Sequence, residues 1–137
     1  MKIRAATSDD LAAIAAIQGA SPEASQWDPA GYLDYDCLVA VKDHDHVAGF
    51  LVSRQTTPGE REILNIAVEL SERRRGVGRR LIAVELERAG SQWFLEVRES
   101  NVAAINLYKA CGFREAGRRN SYYHNPPEPG IVMKLIS

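Results

Sequence analysis

A chain of 137 residues, 45% hydrophobic and 26% charged, has the size and composition of one soluble domain with one core. Its 17 basic and 18 acidic residues nearly cancel, which argues against nucleic acid or a membrane surface as a bulk electrostatic partner. Cys37 and Cys111 lie far apart with no Cys-x-x-Cys or histidine cluster. Neither a metal site nor a disulfide framework is indicated, and both cysteines read as small buried hydrophobes in a reducing compartment.

From Met1 the chain enters alternating and helical patterns with no apolar run long enough for a signal peptide or a span, so a cytoplasmic location is expected. Residues 2–5 predict a first strand. Thr7 and Asp10 stand at capping-box spacing before a helix that carries Leu11, Ile14 and Ile17 on one face and ends near Gly19. Residues 20–36 hold Pro22, Pro29 and Gly31 around Trp27, which predicts a loop of the kind that shapes substrate pockets, with one short helix from Asp28-Pro29. Residues 37–41 and 47–52 predict a hairpin across a polar turn that leaves His44 and His46 in solvent. A strand from about Glu62 to Val68 follows the Thr57-Pro58-Gly59 turn.

Helical spacing of Leu81, Ile82, Val84 and Leu86 predicts a helix of roughly a dozen residues from Val77 to Ala89-Gly90. Residues 93–97 predict a strand buried on both faces apart from one carboxylate. Asn101 is a good N-cap for a helix with Ala104, Leu107, Tyr108 and Cys111 on one face, closed by Gly112. Phe113 onward leads to a final strand at residues 131–135. The order is β-α-(α)-β-β-β-α-β-α-β-β, an α/β chain without repeats.

Between the third strand of the hairpin region and the following helix lies Arg73-Arg74-Arg75-Gly76-Val77-Gly78-Arg79-Arg80. A glycine-spaced loop entering a helix exposes backbone N–H groups at a positive helix end, and the arginines add donors suited to phosphate oxygens. The P-loop is excluded because Arg79-Arg80 stands where Lys-Ser/Thr is required. The dinucleotide fingerprint is excluded because Leu81 stands in place of a third glycine. The plain alternative is a solvated, arginine-rich helix entrance.

Glu96 is an ionisable group inside an apolar run. It reads either as a general base displayed at a ligand-binding face or as a structural partner of Arg98 or Arg114. Tyr108 follows Asn101 by seven residues, two helical turns, and so projects along the same side. It reads as a proton donor to a leaving group or as a core aromatic. Tyr122-Tyr123-His124 read as a substrate entrance or as hairpin packing.

Together, Asn65-Ile66-Ala67-Val68, Arg73-x-x-Gly76-x-Gly78, Leu95-Glu96-Val97-Arg98 and Asn101-x-x-Ala104-x-x-Leu107-Tyr108-x-x-x-Gly112-Phe113 resemble the GNAT N-acetyltransferase superfamily over nearly the whole chain. Within it the chain is most similar to the RimI-like enzymes that acetylate the N-terminal alanine of a small-subunit ribosomal protein. The resemblance implies a single GNAT domain over residues 1–137, with a mixed central sheet of six or seven strands and about four flanking helices. It implies acetyl-CoA as co-substrate, a protein N-terminus such as that of a ribosomal protein as acceptor, and a monomer or homodimer.

In that family the loop of Arg73, Arg74, Arg75, Gly76, Val77, Gly78 and Arg79 would hold the coenzyme A diphosphate. Backbone groups of Ile66, Ala67 and Val68 would pair with the pantetheine arm like an added strand. Asn101 would contact the cofactor, Glu96 would be the general base, directly or through water, and Tyr108 would protonate the departing thiolate. A backbone N–H at Val68 would stabilise the oxyanion. Two segments depart from the family pattern. Residues 19–36 match poorly apart from Trp27, and Asn125-Pro126-Pro127-Glu128-Pro129-Gly130 replaces a more acidic stretch. Both flank the acceptor site in the superfamily, which keeps open a small-molecule amine acetyltransferase; an acyl-CoA-binding module without catalysis is a separate alternative, against which the retained Glu96 and Tyr108 argue.

Overall fold

The computed structural model describes residues 1–88, 92–123 and 127–136, with the side chains of 121–123 and 136 left aside. Its strands are β1 (Lys2–Ala5), β2 (Asp36–Lys42), β3 (His46–Thr57), β4 (Glu60–Val68), β5 (Gln92–Arg98), β6 (Arg114–Tyr123) and β7 (Glu128–Ile136). Its α-helices are α1 (Leu11–Gly19), α2 (Val77–Leu86) and α3 (Val102–Ala110), and a six-residue 3-10 helix spans Pro29–Asp34. The strands hydrogen-bond in the order β1-β2-β3-β4-β5-β7-β6. This is the mixed α/β architecture that the sequence predicts. The chain divides into two compact units, Met1–Arg54 with Ile63–Arg88, and Gln55–Glu62 with Ala89–Ser137.

In the first unit, β1 pairs antiparallel with β2, and β2 with β3. The apolar run of β2 is buried from Cys37 to Val41, and Ile14 and Ile17 of α1 join Val39, Phe50 and Val52 in one core cluster. The capping box expected at residues 7–10 is present, with the Asp10 carboxylate accepting the Thr7 N–H at 2.8 Å. Arg4 adds a fork to both Asp10 oxygens, at 2.7 and 2.9 Å, and locks β1 to the start of α1. Leu81 and Ile82 of α2 are wholly buried, each worth about 2 kcal/mol of burial. Gly49 makes that packing possible, because a Cβ there would meet the Ala67 carbonyl oxygen at 3.0 Å and Val77 Cγ1 at 3.2 Å.

In the second unit, β5 pairs antiparallel with β7 from Gln92 opposite Ile136 to Arg98 opposite Gly130, and β7 pairs antiparallel with β6. The first residues of β4 run parallel to β5, with Glu60, Arg61 and Glu62 opposite Gln92, Trp93 and Phe94. The expectation that residues 93–97 are buried on both faces is corrected. Trp93, Leu95 and Val97 are buried, whereas Phe94, Glu96 and Arg98 are half-buried, the alternation of a strand with one covered face.

Helix α3 ends as its sequence predicts. Gly112 takes φ of 101°, its N–H bonds the Lys109 carbonyl at 3.0 Å, and the Phe113 N–H bonds the Tyr108 carbonyl at 3.0 Å. This is the Schellman pattern, and the Tyr108 and Phe113 rings supply its apolar contact with centroids 5.9 Å apart.

Candidate active site

The arginine-glycine run leaves β4 through a 3-10 turn at Leu70–Glu72 and enters α2 with Gly76 as its N-cap. Two residues of the run take the left-handed conformation, Arg74 at φ 66° and Gly76 at φ 80°. For Arg74 this carries a strain of about 1–3 kcal/mol, the kind of backbone strain found at ligand clamps. The Arg80 N–H bonds back to the Gly76 carbonyl at 3.0 Å. The N–H groups of Val77, Gly78 and Arg79 precede that bond, and helix geometry gives them no carbonyl behind. Val77 and Gly78 are buried, while the side chains of Arg74, Arg75, Arg79 and Arg80 are exposed around them. Left-handed turns leading into a helix N-terminus, ringed by cations, fit a diphosphate.

The base of this turn is braced from below. Glu72 accepts from Lys42 Nζ at 2.7 Å and lies 3.9 Å from Arg75. The Lys42 hydrogen bond holds the Glu72 carboxyl below its usual range, so it is ionised wherever the loop would meet an anion.

Arg73 behaves unlike its neighbours. Its Nε donates to the Val68 carbonyl at 3.1 Å, and its Nη2 donates to Ser21 Oγ at 3.0 Å and to Glu23 Oε1 at 2.9 Å.

Ile66, Ala67 and Val68 end β4 as expected, with Ala67 buried and the flanking pair half-buried. Just before them, Asn65 is 6% exposed, a polar residue that the sequence motif includes without a role of its own. Its Oδ1 accepts the N–H groups of Ser25 and Ile66, and its Nδ2 donates to the Ser25 carbonyl, Gln18 Oε1 and the Tyr32 hydroxyl oxygen. The Tyr32 hydroxyl in turn donates to Gln18 Oε1. Burial pushes the Tyr32 phenol above its ordinary range, so it remains a neutral donor.

The second unit holds Glu96, Asn101 and Tyr108. Glu96 lies on β5 and pairs with neither arginine expected of it. Arg119 of β6 donates to Glu96 Oε1 at 2.7 Å, while Arg98 turns to Glu128 at 2.9 Å. In register, Arg119 stands opposite Gly130 of β7, two residues from Val132, which faces Glu96. Glu96 Oε2 is buried and has no hydrogen-bond partner. Asn101 caps α3, its Oδ1 accepting the Ala104 N–H at 3.2 Å. Tyr108 is 5% exposed and packs on Phe113. The side chains of Tyr122, Tyr123 and His124 lie outside what is described. No helix among the described residues is long and apolar enough to cross a membrane.

Comparison with known proteins places residues 8–113 on the model of the Acetyltransferase (GNAT) family. The chain is 43% identical over 98 residues to the [ribosomal protein bS18]-alanine N-acetyltransferase of Salmonella typhimurium, covering 66% of this chain and 65% of that one. It is 35% identical over 120 residues to the N-alpha-acetyltransferase RimI of Mycobacterium tuberculosis, covering 81% and 76%. Among solved structures, the ribosomal-protein-S18-alanine N-acetyltransferase from Escherichia coli superposes with a TM-score of 0.82 at 30% identity, covering 98% of this chain and 92% of that one. The alignments span 26% to 65% of the length of the curated relatives that are 41–43% identical.

Proposed function

This chain belongs to the acetyltransferase (GNAT) family, and from that premise we propose that it moves an acetyl group from acetyl-CoA to the N-terminal α-amino group of a protein, acting as one domain. The observation that carries the donor half is the cradle at the start of α2, where Arg74 and Gly76 turn left-handed ahead of the N–H groups of Val77, Gly78 and Arg79. Those N–H groups and the exposed arginines receive the diphosphate, and the backbone of Ile66 to Val68 aligns the pantetheine arm.

Acetyl-CoA supplies a thioester carbon open to attack by an amine. The α-amine arrives as an ammonium and must lose a proton first. Glu96 takes it, directly or through water, on the oxygen that Arg119 leaves unpartnered. The amine then attacks the thioester carbon to give a tetrahedral oxyanion that the Val68 N–H steadies; as it collapses the C–S bond breaks, Tyr108 gives its proton to the thiolate, and the second proton leaving the nitrogen restores the phenol. No covalent enzyme intermediate is required, and Cys111 takes no part. A ribosomal protein with N-terminal alanine is the acceptor class that the relatives' names support.

The test is mass spectrometry of a peptide library incubated with the protein and acetyl-CoA. Acetylation at α-amino groups of Ala-initiated peptides is expected. Acetylation of free small amines alone would overturn the acceptor assignment and leave the donor assignment standing.

A further inference from the structure

We propose that Arg73 and Asn65 are positioning residues that stitch residues 21–27 onto β4, and that they govern acceptor binding rather than coenzyme binding. This deepens the reading above and rests on it.

Arg73 opens the arginine run, and its place before two glycines marks it as a phosphate ligand. Its guanidinium is nevertheless directed to protein groups on two sides: the Val68 carbonyl at the end of β4, and Ser21 and Glu23 in the segment after α1. Ser21 is 1% exposed and its hydroxyl donates to the Ile17 carbonyl at 2.8 Å, so Arg73 grips a point already fixed to α1. Glu23 also offsets the positive charge that Arg73 would otherwise offer to an anion.

A few residues on, Asn65 repeats the stitch. The Ser25 N–H donates to Asn65 Oδ1 at 3.2 Å and Asn65 Nδ2 donates to the Ser25 carbonyl at 2.9 Å, the two-bond exchange of a strand pair made by one amide side chain. Gln18 Nε2 then holds the Trp27 carbonyl. A segment without regular secondary structure is thus tied at Ser21, Glu23, Ser25 and Trp27, and its two anchors on β4 are residues 65 and 68. Between those anchors lie Ile66 and Ala67.

A loop that merely covers apolar surface needs no buried asparagine in an apolar strand, which costs free energy unless every polar atom is satisfied. Here the amide is satisfied by the loop at Ser25, through both its oxygen and its nitrogen, together with Gln18, Tyr32 and the Ile66 N–H. The arrangement makes residues 21–27 a fixed wall beside the strand that receives the thioester, with Trp27 exposed on it at 49%. An acceptor amine that must reach a thioester on Ile66 to Val68 passes that wall. The bonds of Arg73 also join the wall to the turn that carries the diphosphate.

The experiment is initial-rate kinetics with an Ala-initiated peptide, coenzyme A binding by calorimetry, and hydrogen exchange of residues 21–27, on the full chain and on Arg73→Met, Arg73→Lys and Ser21→Ala. For Arg73→Met the peptide KM is expected to rise about tenfold, with kcat and coenzyme A affinity within about twofold of the parent, as loss of a charge-assisted hydrogen bond to a binding wall implies. Exchange at residues 21–27 is expected to quicken in the same variant, and Arg73→Lys is expected to recover part of both effects. Ser21→Ala removes one partner of the stitch without touching the arginine run, and is expected to shift the peptide KM in the same direction. A weakened coenzyme A affinity with unchanged peptide KM would overturn the proposal and make Arg73 a phosphate ligand. Unchanged exchange in both variants would also overturn it. If the parent acetylates no peptide at all, the function reading fails, while the exchange data still decide the stitch.

Discussion

Glu96 and Arg119 share a single hydrogen bond, from Nη1 to Oε1 at 2.7 Å, and the second carboxylate oxygen of Glu96 is buried without a partner. A buried oxygen left in this way asks for an explanation, and a proton acceptor for an incoming ammonium is one. The guanidinium fixes the orientation of the carboxylate without occupying both of its oxygens.

Glu96→Gln is therefore expected to lower kcat by about 10²- to 10⁴-fold, the range for loss of a general base. Circular dichroism and coenzyme A calorimetry check that fold and donor site persist. A variant with full turnover removes Glu96 from the mechanism.

The proton-donor role proposed for Tyr108 and its packing on Phe113 are separated by two substitutions. Tyr108→Phe keeps the ring that packs on Phe113 and removes only the hydroxyl, so turnover is expected to fall with a smaller stability loss than Tyr108→Ala shows. Tyr108→Ala also empties a buried site at the Schellman turn of α3, which is expected to cost about 3–5 kcal/mol in urea unfolding. Equal stability loss in both variants contradicts the division.

At the cradle, Gly76 stands at φ 80° with nothing within 4 Å of an added Cβ. Gly76→Ala meets strain without a clash, so a stability loss of about 1 kcal/mol is expected alongside a raised KM for acetyl-CoA. Gly49→Ala meets the Ala67 carbonyl at 3.0 Å and is expected to cost more, about 1–3 kcal/mol, read from the same unfolding curves.

The pair Arg4–Asp10 makes stability depend on pH in a stated direction. The hydrogen bond from Arg4 holds Asp10 below its ordinary value of 3.8, so its contribution is fully present above that pH and is lost as pH falls through the lower, folded value. Asp10→Asn is expected to cost about 2 kcal/mol at neutral pH, as for a hydrogen bond to a charged group. The gap between the parent and Asp10→Asn is expected to close as pH falls below 3.8, because protonated Asp10 resembles the amide. Urea unfolding at several pH values checks both statements.

Much of the architecture was legible because it is written locally. Periodicity located the strands and helices, and single residues marked their ends: Asn101 as N-cap, Gly112 as the left-handed stop, and Asp28-Pro29 opening the 3-10 helix. What escaped depends on partners distant in sequence. Arg73 reads as a phosphate ligand from its arginine and glycine neighbours, while the hydrogen bonds of its Nη2 run to Ser21 and Glu23, about fifty residues earlier, in a loop with no periodic signal. The partner of Glu96 is set by the register of β6 on β7, which carries irregularities that composition does not encode. Asn65 was detectable by the signal that exposed Glu96, a polar residue inside an apolar run. The half-buried Phe94 shows the reverse limit, since hydrophobicity marks a tendency to burial and not which face of a strand is covered.

The most direct measurement is a two-substrate initial-rate study with acetyl-CoA and an Ala-initiated peptide, the product located by tandem mass spectrometry. Intersecting double-reciprocal lines with one acetyl group on the peptide α-amine are the result expected for direct transfer in a ternary complex. Parallel lines, or no acetyl group on any peptide α-amine, would contradict it.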